Sequence, residues 1–174
     1  MVPVVEHLDA AAFDAALDDL AAVLHACVLE GASVGFVAPF EVEHARAYWE
    51  ELRASVAAAG RHVLAVRDPG GTVVATVQVV PASMPNGAHR AEIAKLLVHP
   101  RARRAGLGRR LMLAAHRRAA ALGRTLLVLD TATDAAERLY HDLGYRPAGT
   151  VPGYARSVDG TTLDATTIMF KELR

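Results

Sequence analysis

The sequence predicts an α/β protein: a mixed, mostly antiparallel central sheet of about seven strands with helices on both faces. Three observations carry this. Apolar residues recur at three- and four-residue steps in segments that alternate with short β-rich runs. A turn at Asp68, Pro69, Gly70 and Gly71 joins two such runs as a hairpin. A strand, helix, strand unit from Ile93 to Leu129 requires a crossover, so its two strands should lie parallel.

In chain order, Val2 to Leu8 reads as a first strand, and Asp9 caps an alanine-rich helix. Its apolar residues Phe13, Leu17, Leu20, Leu24 and Val28 share one face, and Gly31 stops it. Ser33 to Phe40, with Gly35 and Pro39, is a loop and a candidate substrate lid. A second helix is expected from Glu41 to Ala59, ended by Gly60. Strands follow at His62 to Arg67 and Val73 to Val80, then a turn at Pro81 to Gly87, then a strand from His89 to Val98. A helix from Gly106 to Leu122 ends at Gly123. Thr125 to Leu129 is wholly apolar apart from Thr125, as a strand buried on both faces should be. Asp130 leads into a helix from Ala135 to Leu143, stopped by Gly144, and strands at Tyr145 to Val151 and Leu163 to Phe170 close the chain.

At 174 residues with 52% hydrophobic and 22% charged, the chain supports one core, so residues 1–174 are expected to form a single domain. No apolar run reaches the roughly 20 residues that span a bilayer, and the N-terminus lacks the order of a signal peptide. The expectation is a cytoplasmic protein without membrane partners. Basic and acidic residues balance at 19 each, which excludes a strong global field; nucleic acid would need a local patch. Cys27 is the lone cysteine, so no intramolecular disulfide forms, and its apolar neighbours mark a packed thiol.

One basic patch exists where a strand gives way to a helix. Arg101, Arg103, Arg104, Arg109 and Arg110 surround Gly106 and Gly108. Glycines let backbone approach a ligand, and unpaired N–H groups with the dipole at a helix start favour an anion. The bland alternative is a solvated basic turn. The helix has an apolar face at Leu107, Leu111, Ala115, Ala119 and Leu122, so it packs on the sheet instead of entering a DNA groove. A dinucleotide fold would place its glycines after the first strand, and a Walker loop needs Gly-Lys-Ser/Thr; neither fits. Ligands of such sheets gather at strand carboxyl ends, here near Val98 and Asp130.

Arg103, Arg104, Ala105, Gly106, Leu107, Gly108 resembles the Gln/Arg-x-x-Gly-x-Gly/Ala signature of the GNAT superfamily of N-acetyltransferases, and Leu139 to Tyr145 resembles its Leu-Tyr-x-x-x-Gly-Phe/Tyr element. A narrower similarity, through His89 to Glu92, Lys95 to Pro100, Leu126 to Thr131 and Val151 to Tyr154, is to tabtoxin-resistance-type acetyltransferases. The resemblance implies the GNAT fold and acetyl-CoA as co-substrate; no metal is expected, because the scattered histidines lack ligand spacing. It implies a cofactor site of Leu97 and Val98 through backbone, Arg103, Arg104, Ala105, Gly106, Leu107, Gly108, Arg109 and Arg110 at the pyrophosphate, and Thr133, where the family carries a nearby asparagine. Tyr140 matches the tyrosine that donates a proton to the CoA sulfur, against a plain core tyrosine. Glu92, on the strand eleven residues ahead of Arg103, is the candidate base, against an ordinary strand glutamate. Asp130, at a strand's carboxyl edge, is the second, against a helix cap. The implied activity is direct acetyl transfer to a primary amine, of a small molecule, by a monomer or homodimer; the rival is a non-catalytic acyl-CoA-binding regulatory module.

Other features read as structural. The eight histidines show no zinc-ligand spacing. Phe36, Phe40 and Trp49 are core aromatics or pocket walls. Tyr154 and Arg156 are placed in the loop between the last two strands.

Overall fold

A computed structural model describes residues 4–173. Strand β1 (Val5–Leu8) is followed by helices α1 (Ala10–Ala15), α2 (Leu17–Leu29), α3 (Val42–Glu51) and α4 (Arg53–Ala57). Next come β2 (His62–Arg67), β3 (Val73–Pro81), β4 (Arg90–Val98), α5 (Leu107–Ala121), β5 (Leu126–Thr131), α6 (Asp134–Asp142), β6 (Arg146–Arg156) and β7 (Leu163–Glu172). The expected start of the first strand at Val2 lies outside the described residues.

Seven strands form one sheet in the order β1-β2-β3-β4-β5-β7-β6. All neighbours are antiparallel except β4 and β5, whose parallel pairing is the crossover the sequence demanded. Helices cover both faces and give two cores. One packs Leu107, Leu111, Met112, Ala115 and Ala119 of α5 with Tyr140 and Leu143 against Leu64, Val66, Ala91, Leu127 and Leu129. The other packs Phe13, Leu17, Leu20, Leu24 and Trp49 against Val63, Ala65 and Leu97. Alternate residues of β2 thus enter opposite cores, which is why that strand reads as an unbroken apolar run.

Both early helices are interrupted where one continuous helix was expected. At Ala16 (φ −97°, ψ 0°) the N–H bonds both Ala12 O and Phe13 O, each at 3.1 Å, and at Leu52 the helix tightens similarly. No glycine or proline marks these bends. Ala16 is fully buried, and each bend turns an apolar stripe to follow the twisted sheet. The last hairpin is also longer than expected: β6 continues to Arg156 through two register shifts, so Tyr154 and Arg156 belong to a strand, not a loop. Gly153 had masked that continuation, since glycine in a strand interior reads as a stop.

Candidate active site

The site begins with an irregularity in β4. Its pairing with β3 runs as far as Gln78 opposite Ala94 and resumes with Thr76 opposite Leu97, so Val77 alone faces both Lys95 and Leu96. Lys95 has φ +50°, a left-handed value uncommon for a side-chain-bearing residue. This is a β-bulge, and its effect shows in the packing. Ile93 enters the core under α5, whereas Leu97 enters the core under α2. A regular strand would keep residues four apart on one face; the extra residue slips the alternation by one.

The parallel pairing of β4 with β5 stops at Glu92 opposite Val128. Beyond it β4 stays with β3 to Val98 and β5 stays with β7 to Thr131, so the sheet splits. The split opens a cleft of about 370 Å³ walled by Ala32–Gly35, Glu92–Leu96, Asp130–Thr133, Ala136, Tyr140, Tyr154 and Ala155. Of the residues singled out from sequence, Glu92, Asp130, Thr133 and Tyr140 meet here. Leu97, Val98 and the Arg103 to Arg110 segment are not part of this wall.

The two carboxylates and the phenol enter from opposite faces. Ala91 and Ile93 point into the α5 core, so Glu92 between them points to the α2 face. Leu127 and Leu129 do the same for β5, which puts Asp130 on the same side as Glu92. Asp130 is no helix cap: Thr133 caps α6, its hydroxyl accepting from Ala136 N–H at 3.3 Å. Asp130 Oδ2 instead accepts from Thr166 Oγ1 at 3.3 Å, while Glu92 makes no side-chain hydrogen bond to a described residue. Tyr140 belongs to the α5 core, its ring 5.7 Å from that of Tyr145, and only its edge reaches the cleft. Burial, reinforced by the negative charge of Asp130, pushes its phenol up to about 12. Tyr140 therefore keeps its proton at neutral pH and faces the split as a donor.

One cleft residue, Lys95, and the Tyr48 ring it rests against were not singled out from sequence. Lys95 carries the bulge, is half-buried, and holds its Nζ 5.6 Å from the centre of the Tyr48 ring. Burial lowers its pKa, against the opposing pull of Asp130 and Glu92. Tyr48 is fixed in turn by fully buried Gln78, whose Nε2 donates to Tyr48 Oη at 3.2 Å while Arg61 donates to its Oε1. The available signal was a single charge inside the apolar run Ile93 to Val98, and a glutamine inside a strand buried on both faces.

Beyond the bulge, His99 N–H bonds Val74 O at 2.8 Å, towards β3. By alternation Leu97 also spends its backbone on β3, and Val98 turns its N–H and C=O to the opened side. Val98 O accepts from Arg103 Nε at 3.3 Å and from Cys27 Sγ at 3.4 Å, and burial pushes that thiol's pKa up. The chain then reverses through Arg104 (φ +63°) and Gly106 (φ +71°) into α5. The first helix bond is Arg110 N–H to Gly106 O, so Leu107, Gly108 and Arg109 have N–H groups without a helix partner. Arg101 pairs with Asp68 at 3.0 Å and Arg103 approaches Glu30 at 3.7 Å. Arg104, Arg109 and Arg110 are exposed and have no ion-pair partner among the described residues. Exposed cations, open backbone N–H groups and the free side of β4 fit a phosphate-bearing ligand with a long polar tail.

The lid candidate, residues 33–40, gives its first half to the cleft and is anchored by its second. Phe36 and Phe40 lie 4.6 Å apart, Phe36 meets Tyr48 edge-on at 5.4 Å, and Phe40 is buried. Trp49 is wholly core. Among the described residues, no group of three or more metal-ligating side chains comes together, and no helix is long and apolar enough to cross a membrane.

Residues 11–145 match the family model for the acetyltransferase (GNAT) family. Among solved structures, a GNAT superfamily phosphinothricin acetyltransferase from Sinorhizobium meliloti, in complex with acetyl-CoA, superposes with a TM-score of 0.81 at 20% identity, over 99% of this chain and 89% of that one. For yncA from Salmonella typhimurium, solved with its cofactor acetyl-CoA, the values are 0.76, 21%, 99% and 94%. For a ribosomal-protein-alanine N-acetyltransferase from Brucella melitensis they are 0.77, 23%, 98% and 99%.

Proposed function

The chain belongs to the acetyltransferase (GNAT) family, and we propose that it moves acetyl from acetyl-CoA to a primary amine of a small molecule, by direct attack within one ternary complex. The observation that carries this reading is the split sheet, with Glu92 and Asp130 on one face and a protonated Tyr140 on the other. Transfer between an amine and a thioester needs a proton acceptor beside the amine and a proton donor beside the leaving sulfur, and this arrangement separates the two roles in space.

Acetyl-CoA supplies the activated acyl group. The N–H groups of Leu107, Gly108 and Arg109, with the side chains of Arg104, Arg109 and Arg110, hold its phosphates at the α5 start. Val98 N–H, on the freed edge of β4, binds the pantetheine arm or thioester oxygen. Glu92 or Asp130 takes the proton of the acceptor ammonium, directly or through water, and Tyr140 protonates the departing sulfur. Thr133, its hydroxyl engaged as a cap, shapes the cleft mouth. The acceptor enters past the loop at Ala32–Gly35 and Tyr154. A cleft of about 370 Å³ has room for a small acceptor. Cys27 is buried and takes no part, and no acyl-enzyme is required.

Calorimetric titration with acetyl-CoA, followed by a screen of small amines monitored by free thiol, tests the reading. Saturable binding and amine-dependent thiol release are expected. Tight binding without transfer to any amine would identify a regulatory acyl-CoA-binding module instead.

A further inference from the structure

The acceptor cleft contains a primary amine of the protein's own. Only two of the 19 basic side chains are lysines, and Lys95 is one of them. The other, Lys171, donates to Leu143 O at 2.5 Å on the far side of α6. Everywhere else the chain uses arginine, whose guanidinium is a poor nucleophile at any ordinary pH. Lys95 projects from the bulge at the point where the sheet splits, in the wall that also holds Glu92, Asp130 and Tyr140. It forms no ion pair with either carboxylate within 4.0 Å, so neither charge locks it in place. Its ammonium rests against the Tyr48 ring, and Gly35 of the lid loop lies close enough that a Cβ added there would be 3.9 Å from Nζ.

We propose that Lys95 is a self-acetylation site: with acetyl-CoA bound and no external amine in the cleft, the acetyl group passes to Lys95 Nζ. This rests on the acetyl-transfer reading above. The ammonium first loses one proton to solvent, for which its burial-lowered pKa is favourable. Nζ then bonds to the acetyl carbonyl carbon and the carbon–sulfur bond breaks. The second nitrogen proton goes to Glu92 or Asp130 while Tyr140 protonates the sulfur, and the carboxylate returns its proton to Tyr140 through water. The products are an amide at Lys95, free CoA and one proton released to solvent. The modified side chain is longer and neutral, and fills the space an acceptor needs. An external amine protects Lys95 by occupying the same space; prolonged exposure to acetyl-CoA without acceptor makes the enzyme self-limiting.

The test is incubation of the purified protein with acetyl-CoA alone, read by intact mass and peptide mapping. One acetyl group at Lys95 is expected, at a rate per molecule independent of protein concentration, slowed roughly 100-fold in Tyr140→Phe. Labelling should be lost in Lys95→Arg and kept in Lys171→Arg. Equal labelling of Lys95 and Lys171, or labelling undiminished in Tyr140→Phe, would reveal uncatalysed chemistry and overturn the proposal. So would an unmodified Lys95 in protein that acetylates external amines, an outcome that leaves the proposed function standing. Failure to bind acetyl-CoA at all would overturn both.

Discussion

Tyr140 shows how one side chain acquires a role from its surroundings. In water a phenol is a weak acid, and here burial and the Asp130 charge raise its pKa to about 12. The raised value means the proton is retained through the whole working range, which suits the donor role proposed for it and not that of a base. Tyr140→Phe removes one hydroxyl at the cleft edge and leaves the ring packing on Tyr145. It should lower kcat roughly 100-fold with acetyl-CoA affinity nearly unchanged, as calorimetry beside steady-state rates will show. The pH–rate profile of the unmodified enzyme should show no alkaline fall attributable to Tyr140 below about pH 11; a fall that vanishes in the variant would contradict this. Glu92 and Asp130 share one side of the split, so their effects should not add. If they serve a single proton path, Glu92→Gln with Asp130→Asn will lose little more kcat than the worse single variant.

At the scale of elements, the two glycines at the start of α5 are expected to behave differently. Gly106 sits at φ +71°, where any side chain is strained, so Gly106→Ala should cost about 1 kcal/mol of stability. Gly108 has an ordinary backbone, and a Cβ there would meet only Leu139 Cδ2 at 3.5 Å and Leu96 Cδ2 at 4.0 Å, both normal contacts. Gly108→Ala should therefore fold as well as the parent, and any loss of acetyl-CoA affinity must come from the ligand's close approach. Thermal melts compared with binding isotherms separate the two cases. The exposed arginines also make that affinity fall with added salt, and an affinity flat between low and high salt would argue against phosphates at this turn. This turn was legible in sequence because its signal is local: a strand end, two glycines, and a helix with an apolar face. The split of β4 from β5 was not legible, because it depends on where pairing stops, and pairing partners are set by the whole sheet. The Lys95 bulge was hidden for the same reason, since an extra residue in a strand leaves no mark in composition. The bends at Ala16 and Leu52 likewise lack a glycine or proline, and helix periodicity survives them.

The whole molecule rests on two cores that share one sheet, and buried imidazoles tie its stability to pH. His116, on α5, exchanges a hydrogen bond with Tyr145 Oη at 3.1 Å, and burial, with the charges of Lys171 and Arg117, lowers its pKa to about 4. His62, at the start of β2, is lowered to about 4 by burial and then by Arg118, whose Nη2 lies 3.0 Å from its Nδ1. In the unfolded chain both titrate near their ordinary value of 6.5. Between pH 6.5 and 4 the unfolded state thus binds more protons than the folded one, and stability must rise with pH across that window and fall as acid is added. Each group contributes a slope of at most about 1.4 kcal/mol per pH unit. Urea midpoints should therefore drop steadily from pH 6.5 towards 4. In His116→Gln, which retains a hydrogen-bonding group beside Tyr145 but cannot take a proton, the slope should be visibly shallower. An unchanged slope would show that His116 is protonated within the fold, and that the contact with Tyr145 does not need a neutral ring.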